Sequence, residues 1–311
     1  MSPVRVHIDT DPGLDDLLAL AFALASPELS VEAITTVSGN ASLEAVTENA
    51  RRFMTLADAA IPIGAGAAGP LALSRIDATG FHGADGRRGV EIAEPAARAP
   101  LGSARELLRR SLGERGVERV IALGPLTNVA ALVADEPELF ANAEVVWMGG
   151  TLGSGNVTRE AEFNAFADPR AVRVVLESGV RLRVVGLEVT ERVALRAVDL
   201  NLAGARATAR GRMLDGALRA LFCAEHAFSG EPAAYLHDPC AVAASFAPGL
   251  FDFQRKRLLA SDSEGRERGR LRVDRDAGHE VHYAVAARES ALTALFLERV
   301  TEWASDARAA S

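Results

Sequence analysis

Apolar and polar positions fall in blocks along this chain, and the blocks change period as they repeat. Residues 4–8 are mostly apolar and read as a first strand. After a polar stretch, Leu14–Ala25 is apolar over a helix length and stops at Ser26-Pro27. A residue before proline is pushed out of helical space, so that stop is expected. Residues 31–37, rich in β-branched side chains, read as a second strand. Ser42 is suited to cap the next helix, to about residue 58. This βαβα order predicts a parallel sheet covered by helices.

The same alternation continues. Residues 61–73 are apolar but irregular, and residues 80–89 hold four glycines in ten positions, as expected of a long surface loop. An amphipathic helix over 103–114 precedes a strand over 119–123, and a helix then runs through Ala134. Glu144–Met148 is a strand ended by Gly149-Gly150, followed by a polar irregular stretch, 151–168. Pro169 opens a helix to Glu177, with Gly179 beyond it. A strand follows over 182–187, then a helix over 206–228 and another over 240–246 opened by residues 235–239. Short strands over 256–260, 270–273 and 281–286 flank a charged turn, 261–268, expected to be solvated. A helix over 290–303 closes the chain. No repeat or linker interrupts the pattern, so residues 1–311 read as a single α/β domain. The expected architecture is an open, mostly parallel Rossmann-like sheet with helices on both faces.

Composition narrows the class. Hydrophobic residues make up 49% of the 311 positions, which suits a large core and argues against disorder. The formal charge is −8, and no basic stripe interleaved with aromatics is present, which argues against a nucleic-acid polymer as partner. Cys223 and Cys240 form neither a metal-ligand spacing nor a disulfide framework, and reduced thiols suit a cytoplasmic protein. The start of the chain lacks the long apolar region of a signal peptide. The longest uncharged run, 59–74, is rich in Gly and Pro and falls short of the ~20 residues of a membrane helix.

The candidate chemistry sits where strands end. Asp9-Thr10-Asp11-Pro12-Gly13-Leu14-Asp15-Asp16 places four carboxylates in eight residues at a strand-to-helix turn. Asp15 and Asp16 alone could serve a helix N-terminus, but Asp9 and Asp11 precede the Pro-Gly turn. Like charges at this density call for a cation, and oxygen-only ligands favour Ca²⁺ or Mg²⁺. Later strands end in Ser38-Gly39-Asn40, Leu123-Gly124-Pro125, Met148-Gly149-Gly150 and Glu188-Val189-Thr190. In an open α/β sheet ligands bind beyond the carboxyl ends of the strands. Carboxylates and amides there suit a polyhydroxylated ligand such as a sugar, whereas a phosphate would want Arg, Lys or backbone nests.

These motifs together resemble the inosine–uridine preferring nucleoside hydrolases. The resemblance rests on DTDPGLDD (9–16), SGN (38–40), LGPLTN (123–128), WMGG (147–150), GN with EFN (155–164) and HDP (237–239), and covers nearly the whole chain. It implies Ca²⁺-dependent hydrolysis of the N-glycosidic bond of ribonucleosides, giving ribose and a free base, as in purine or pyrimidine salvage. Asp11, Asp16, the Leu123 carbonyl and Asp238 would hold the ion, and Asp11 would take a proton from a metal-bound water. Asp15, Asn40, Asn156, Glu162 and Asn164 would bind the ribose hydroxyls, with Asp238 also on the substrate side and Asp9 behind the site. His237 would be the acid for the leaving base, and His82 would reach the substrate from the glycine-rich loop. Relatives are often homodimers or homotetramers. The resemblance thins before HDP, where Leu221 and Glu225 stand at positions some relatives give to tyrosine.

Two other readings compete. A phosphatase with an aspartyl nucleophile and Mg²⁺ also opens on an apolar strand and Asp-x-Asp. It needs a phosphate-binding Lys or Arg after a later strand, and Lys256, the only lysine, lies in a late charged segment. A riboside-binding relative without turnover would keep the fold and the metal, and the complete acid set argues against it.

Overall fold

The structure, a computed structural model, describes residues 2–94, 101–196, 199 and 205–305. Its strands, in chain order, are β1 (Val4–Thr10), β2 (Leu29–Thr36), β3 (Ile63–Ala65), β4 (Gly102–Ser103), β5 (Arg119–Ala122), β6 (Glu144–Met148), β7 (Leu182–Val185), β8 (Ala194–Arg196), β9 (Ala233–Tyr235), β10 (Phe251–Ala260), β11 (Leu271–Val273) and β12 (His279–Ala287). Its helices are α1 (Leu14–Ala25), α2 (Leu43–Leu56), α3 (Thr79–His82), α4 (Ala104–Gly113), α5 (Thr127–Asp135), α6 (Phe163–Ala167), α7 (Pro169–Ser178), α8 (Leu187–Thr190), α9 (Ala209–Ser229), α10 (His237–Phe246) and α11 (Glu289–Ser305).

Among the described residues, ten strands form one sheet in the order β11-β10-β12-β7-β6-β5-β1-β2-β3-β4. From β12 to β4 every neighbouring pair is parallel, and β10 and β11 add an antiparallel edge. The chain moves outward from β1 through β2 to β4, then returns to β5 on the other side of β1. That reversal opens a crevice between the carboxyl ends of β1 and β5, where ligands of such sheets bind.

Side chains alternate across β1, as a strand's period of two requires. Val6 and Ile8 enter one apolar cluster with α1, α2, α9, α10 and α11, while α4, α5 and α7 build a second cluster on the opposite face. The α/β class with helices on both faces is the one expected from sequence. The Ser42 hydroxyl accepts from the Ala45 amide and caps α2 as expected.

Several local expectations change. β1 runs two residues further than its apolar stretch, so Asp9 and Thr10 lie inside the sheet, paired with Thr35 and Thr36 on β2. The irregular 61–73 segment contains β3. The strand after α7 stops at Val185, and Gly186 turns the chain into α8. α10 begins at His237, three residues early, and β8 pairs with β9 in a small antiparallel sheet that no alternation announced. The charged turn is exposed over 263–267, but Asp262 is half-buried and paired with Arg170 and Arg173, and Arg268 is buried, its guanidinium donating to the Phe166, Ala167 and Ser74 carbonyls. Its stem and charge are stacked on the Phe166 ring, so an arginine can be an anchor as well as a solvated charge. No helix among the described residues is long and apolar enough to cross a membrane.

Candidate active site

The site begins behind the loop, with the polar face of β1. Asp9 is fully buried, and its Oδ1 accepts from Thr35 Oγ1 at 2.5 Å and from Asn128 Nδ2 at 2.8 Å. His7 lies between Ser111 Oγ at 2.9 Å and Thr35 Oγ1 at 2.8 Å. The single Thr35 proton goes to Asp9, so His7 donates from Nε2 to Thr35 and accepts from Ser111 at Nδ1. Burial, followed by nearby Arg115, lowers the His7 pKa to about 3, which keeps the ring neutral. Burial raises Asp9 to about 6 against the opposing bonds from Thr35 and Asn128. Asn128 also donates to the Thr36 carbonyl and accepts from the Ala67 amide, joining the ends of three strands.

The loop itself is organised around Asp16. Its Oδ1 accepts from Thr10 Oγ1 at 2.5 Å and from the Asp11 amide at 3.2 Å. Its Oδ2 accepts from the Gly13 amide at 2.9 Å and Asn40 Nδ2 at 2.8 Å. A carboxylate at the third helical position closing back on the cap is the usual way to satisfy orphan helix N–H groups. Asn40 also binds Asp11 twice, its amide to Oδ2 at 2.7 Å and its Nδ2 to the carbonyl at 3.1 Å.

Asp11 occupies a slot that two glycines leave open. A Cβ at Gly39 would stand 2.1 Å from Asp11 Oδ2, and one at Gly124 would stand 2.4 Å from Oδ1. Gly124→Ala should therefore displace the carboxylate while leaving the sheet intact. Kinetics with circular dichroism as a fold check should show a loss of about 100-fold in kcat/KM, the scale of an ångström-level misplacement. Wild-type kinetics in that variant would mean that the Asp11 position is not critical.

Asp238 joins from the far end of the sequence, on the first turn of α10, which packs against α1. Asp15, Asp16 and Asp238 are buried, and one oxygen of each lies within 4.8 Å of the others. Burial first, and then neighbouring carboxylates, push Asp11, Asp15 and Asp238 well above the usual carboxylate range. Burial raises Asp16 too, although its hydrogen bonds oppose the shift. These acids chiefly feel burial and one another, and oxygen donors of this kind could hold a hard divalent cation. The tightest grouping takes in Asp15, whereas Asp11 borders it through its amide bond to Asp16. The Leu123 carbonyl accepts from Asn164 Nδ2 at 2.7 Å, which leaves its second lone pair free for a ligand.

Beyond β6, Glu162 is the cap of α6. Its carboxylate accepts from the amides of Gly150, Asn164 and Ala165 at 2.7, 2.7 and 3.0 Å. Asn164 is buried and turned toward Leu123 and Met148, whereas Asn156 is exposed and accepts from the Phe163 amide at 3.0 Å. Asn156 thus closes the loop over Glu162 from outside.

The opposite wall carries the histidines. The glycine-rich segment is not a free surface loop at His82, which is 6% exposed. Its Nδ1 accepts from the Leu14 amide at 3.1 Å, capping α1. Burial, then His237 and Arg88, lowers its pKa to about 3, so its proton sits on Nε2. His237 Nδ1 is 2.8 Å from Thr190 Oγ1, and burial lowers this ring to about 4. Its Nε2 lies 3.9 Å from Glu225 Oε1 on α9. Phe81 packs on His82 and on Phe228, with centroids 4.8 and 5.4 Å apart, tying α3 to the end of α9.

Sequence reading passed over His7, Thr35 and Ser111, and left Thr190 without a role. His7 sits at every second residue with Asp9 and Asp11, and that spacing was the available signal.

Known proteins resemble this chain over most of its length. The family model described as inosine-uridine preferring nucleoside hydrolase matches residues 6–296. A pyrimidine-specific ribonucleoside hydrolase of Salmonella agona is 39% identical over 253 residues, covering 79% of this chain and 80% of the relative. A solved plant nucleoside hydrolase superposes with a TM-score of 0.89 at 30% identity, over 96% of this chain and 99% of that one. A purine-preferring ribonucleoside hydrolase from Gardnerella vaginalis gives 0.90 at 27% identity, with the same coverage.

Proposed function

This chain belongs to the inosine–uridine preferring nucleoside hydrolase family and is a ribonucleoside hydrolase, and we propose that it works with Ca²⁺, with Asp11 as general base and His237 as the acid for the leaving base. The observation that carries this reading is the buried carboxylate cluster assembled from α1 and α10 at the strand reversal. Asp11, Asp16, Asp238 and the Leu123 carbonyl would hold the ion. When bound, the ion supplies Lewis acidity, which lowers the pKa of water and gathers hydroxyl oxygens.

The protein groups do the rest. Asp11 takes a proton from the attacking water. N-glycosidic cleavage passes through an oxocarbenium-like ribosyl cation. Asp15, Asn40, Glu162 and Asn164 surround the ribose with anionic and amide oxygens that stabilise this charge, and Asn156 supports them from the loop. Thr190 fixes the His237 ring; burial keeps that ring mostly neutral at rest, so the acid is its minor imidazolium form, which passes a proton to the departing base, while His82 presents Nε2–H on the same wall. Residues 1–311 act as one domain, and a cytoplasmic location, a salvage role and a homodimer or homotetramer go with this reading. Of the two bacterial relatives, the pyrimidine-specific one is nearer in sequence, so pyrimidine ribosides are the first substrates to try.

A reducing-sugar assay across uridine, cytidine, inosine, adenosine and guanosine tests the reading. Ribose release from at least one is expected; release from none, with phosphate release from nucleotides, would favour the phosphatase. Binding of ribosides without turnover would favour a binding protein. His237→Ala should lower kcat on natural nucleosides by about 10²-fold to 10⁴-fold. A riboside with an activated nitrophenolate leaving group should be spared, and equal losses on both would remove His237 from acid duty.

A further inference from the structure

Arg268, in the turn between β10 and β11, is 9% exposed, and its guanidinium donates to carbonyls of two separate segments. Nε meets the Phe166 carbonyl at 2.8 Å, and Nη2 meets those of Ser74 and Ala167 at 2.9 and 3.3 Å. The group also lies 4.6 Å from the centre of the Phe166 ring. Burying a guanidinium is costly unless its donors are satisfied, and a planar fork can serve acceptors in several directions where a lysine cannot. Phe166 and Ala167 end α6, where carbonyls lack partners within the helix. The backbone of the turn touches α6 as well: Gly269 has φ +74°, and a Cβ there would stand 2.5 Å from Phe166 Cα. The turn is held independently of Arg268, because Asp262 pairs with Arg170 and Arg173 on α7 at 2.8 and 3.2 Å. Arg270 also lies 3.3 Å from Glu160, two residues before Glu162.

The two segments that Arg268 joins lead to opposite walls of the crevice. α6 carries Asn164 and is capped by Glu162, beyond the end of β6. Ser74 leads into Arg75, whose Nε donates to Ser38 Oγ at 2.8 Å, two residues before Asn40 and just beyond β2. At the other end of the same segment, the Leu71 amide donates to Asp168 Oδ2 at 2.8 Å, at the junction of α6 and α7. Residues 71–75 thus reach from the Asn40 wall to the α6 wall, and Arg268 fastens them to the end of α6. Asn40 binds Asp11 and Asp16 directly, so this wall is fixed to the acids, whereas α6 is a single short turn that depends on its surroundings.

We propose that Arg268 is a positioning residue for sugar recognition: by fastening α6 to the 71–75 segment, it holds Glu162 and Asn164 in register with Asn40 across the ribose site. The proposal rests on the ribose roles given to those residues above. Arg268 touches neither ribose nor base, and its effect passes through the placement of α6. A polar group that binds a substrate hydroxyl discriminates against the analogue lacking it only while the group is correctly placed. Loss of the clamp should therefore weaken selection among sugars, not merely the amount of active protein.

The test measures kcat and KM for the best-cleaved riboside and its 2′-, 3′- and 5′-deoxy forms in the wild-type chain, Glu162→Gln, Arg268→Gln and Arg268→Lys, with circular dichroism as a fold check. Glu162→Gln should reduce the preference for at least one hydroxyl, which identifies what the α6 wall reads. Arg268→Gln should lower kcat/KM on the riboside about tenfold to 100-fold and reduce the preference for the same hydroxyl. Arg268→Lys keeps the charge without the fork, and should fall between Arg268→Gln and wild type. A merely structural loss would lower kcat by one factor on every substrate and leave the preferences unchanged. That pattern, wild-type kinetics in both Arg268 variants, or failure of both to fold would overturn the positioning role. A Glu162 effect without an Arg268 effect removes Arg268 alone. Unchanged preferences in Glu162→Gln would remove the ribose role of Glu162, and the Arg268 proposal with it.

Discussion

Asp11→Asn should abolish turnover without harming the fold. A reduction in kcat of about 10³-fold or more is expected, toward the upper range for loss of a general base. The substitution is nearly isosteric, so it fits the slot between Gly39 and Gly124 and keeps an oxygen for the Asn40 amide. It removes the proton acceptor and one charge. The effect on stability has a definite sign. Burial and neighbouring carboxylates raise the folded-state pKa of Asp11 well above its ordinary value. The unfolded chain therefore gives up this proton first, and stability falls as pH rises past the ordinary carboxylate range. At neutral pH without divalent cations, Asp11→Asn removes that penalty, so its Tm should equal or exceed that of wild type. Stopped activity with an unchanged or higher cation-free Tm fits a base held under electrostatic strain. Full activity in the variant would remove Asp11 from the reaction.

Removing divalent cations should have the second large effect, and it can be read without any substrate. Ca²⁺ added to chelator-treated protein should raise Tm by about 5 °C once its concentration is well above Kd, because an ion that binds only the folded chain adds its binding free energy to stability. Asp238→Asn should blunt the shift, since Asp238 lies in the tightest carboxylate group. Activity should disappear with the ion and return with it. A Tm indifferent to Ca²⁺ and to Mg²⁺ in protein shown to be metal-free would mean that the acids are neutralised by protons, and the metal assignment would fall. A shift with Mg²⁺ alone would change the ion and leave the site in place.

Much of this was legible along the chain. Leu14–Ala25 is a helix with the bounds read from its apolar run and the proline after it. Ser42 caps α2. The density of carboxylates at 9–16 and the polar residues after each strand already marked one end of the sheet as the candidate site. These features act over a few residues, through side-chain period, capping and turn preference, so a linear reading can recover them. Resemblance then supplied residue roles that no local pattern carries.

Other features became visible only in three dimensions. Asp9 looked like a loop residue and is a strand residue, because pairing with β2 and β5 extends β1 beyond its apolar stretch. His82 looked like part of an exposed glycine-rich loop, yet it caps α1 from a distance of 68 residues. Thr190 gained a role when β7 stopped at Val185 and α8 brought its hydroxyl to His237. The sequence by itself determined which elements form, where the acids concentrate and which end of the sheet they occupy. The tertiary structure decided which oxygens meet, because strand register and long crossovers bring Asp238 to Asp15 and Asp16 across more than two thirds of the chain. Contacts at that separation depend on the whole core being packed, and no local preference encodes them.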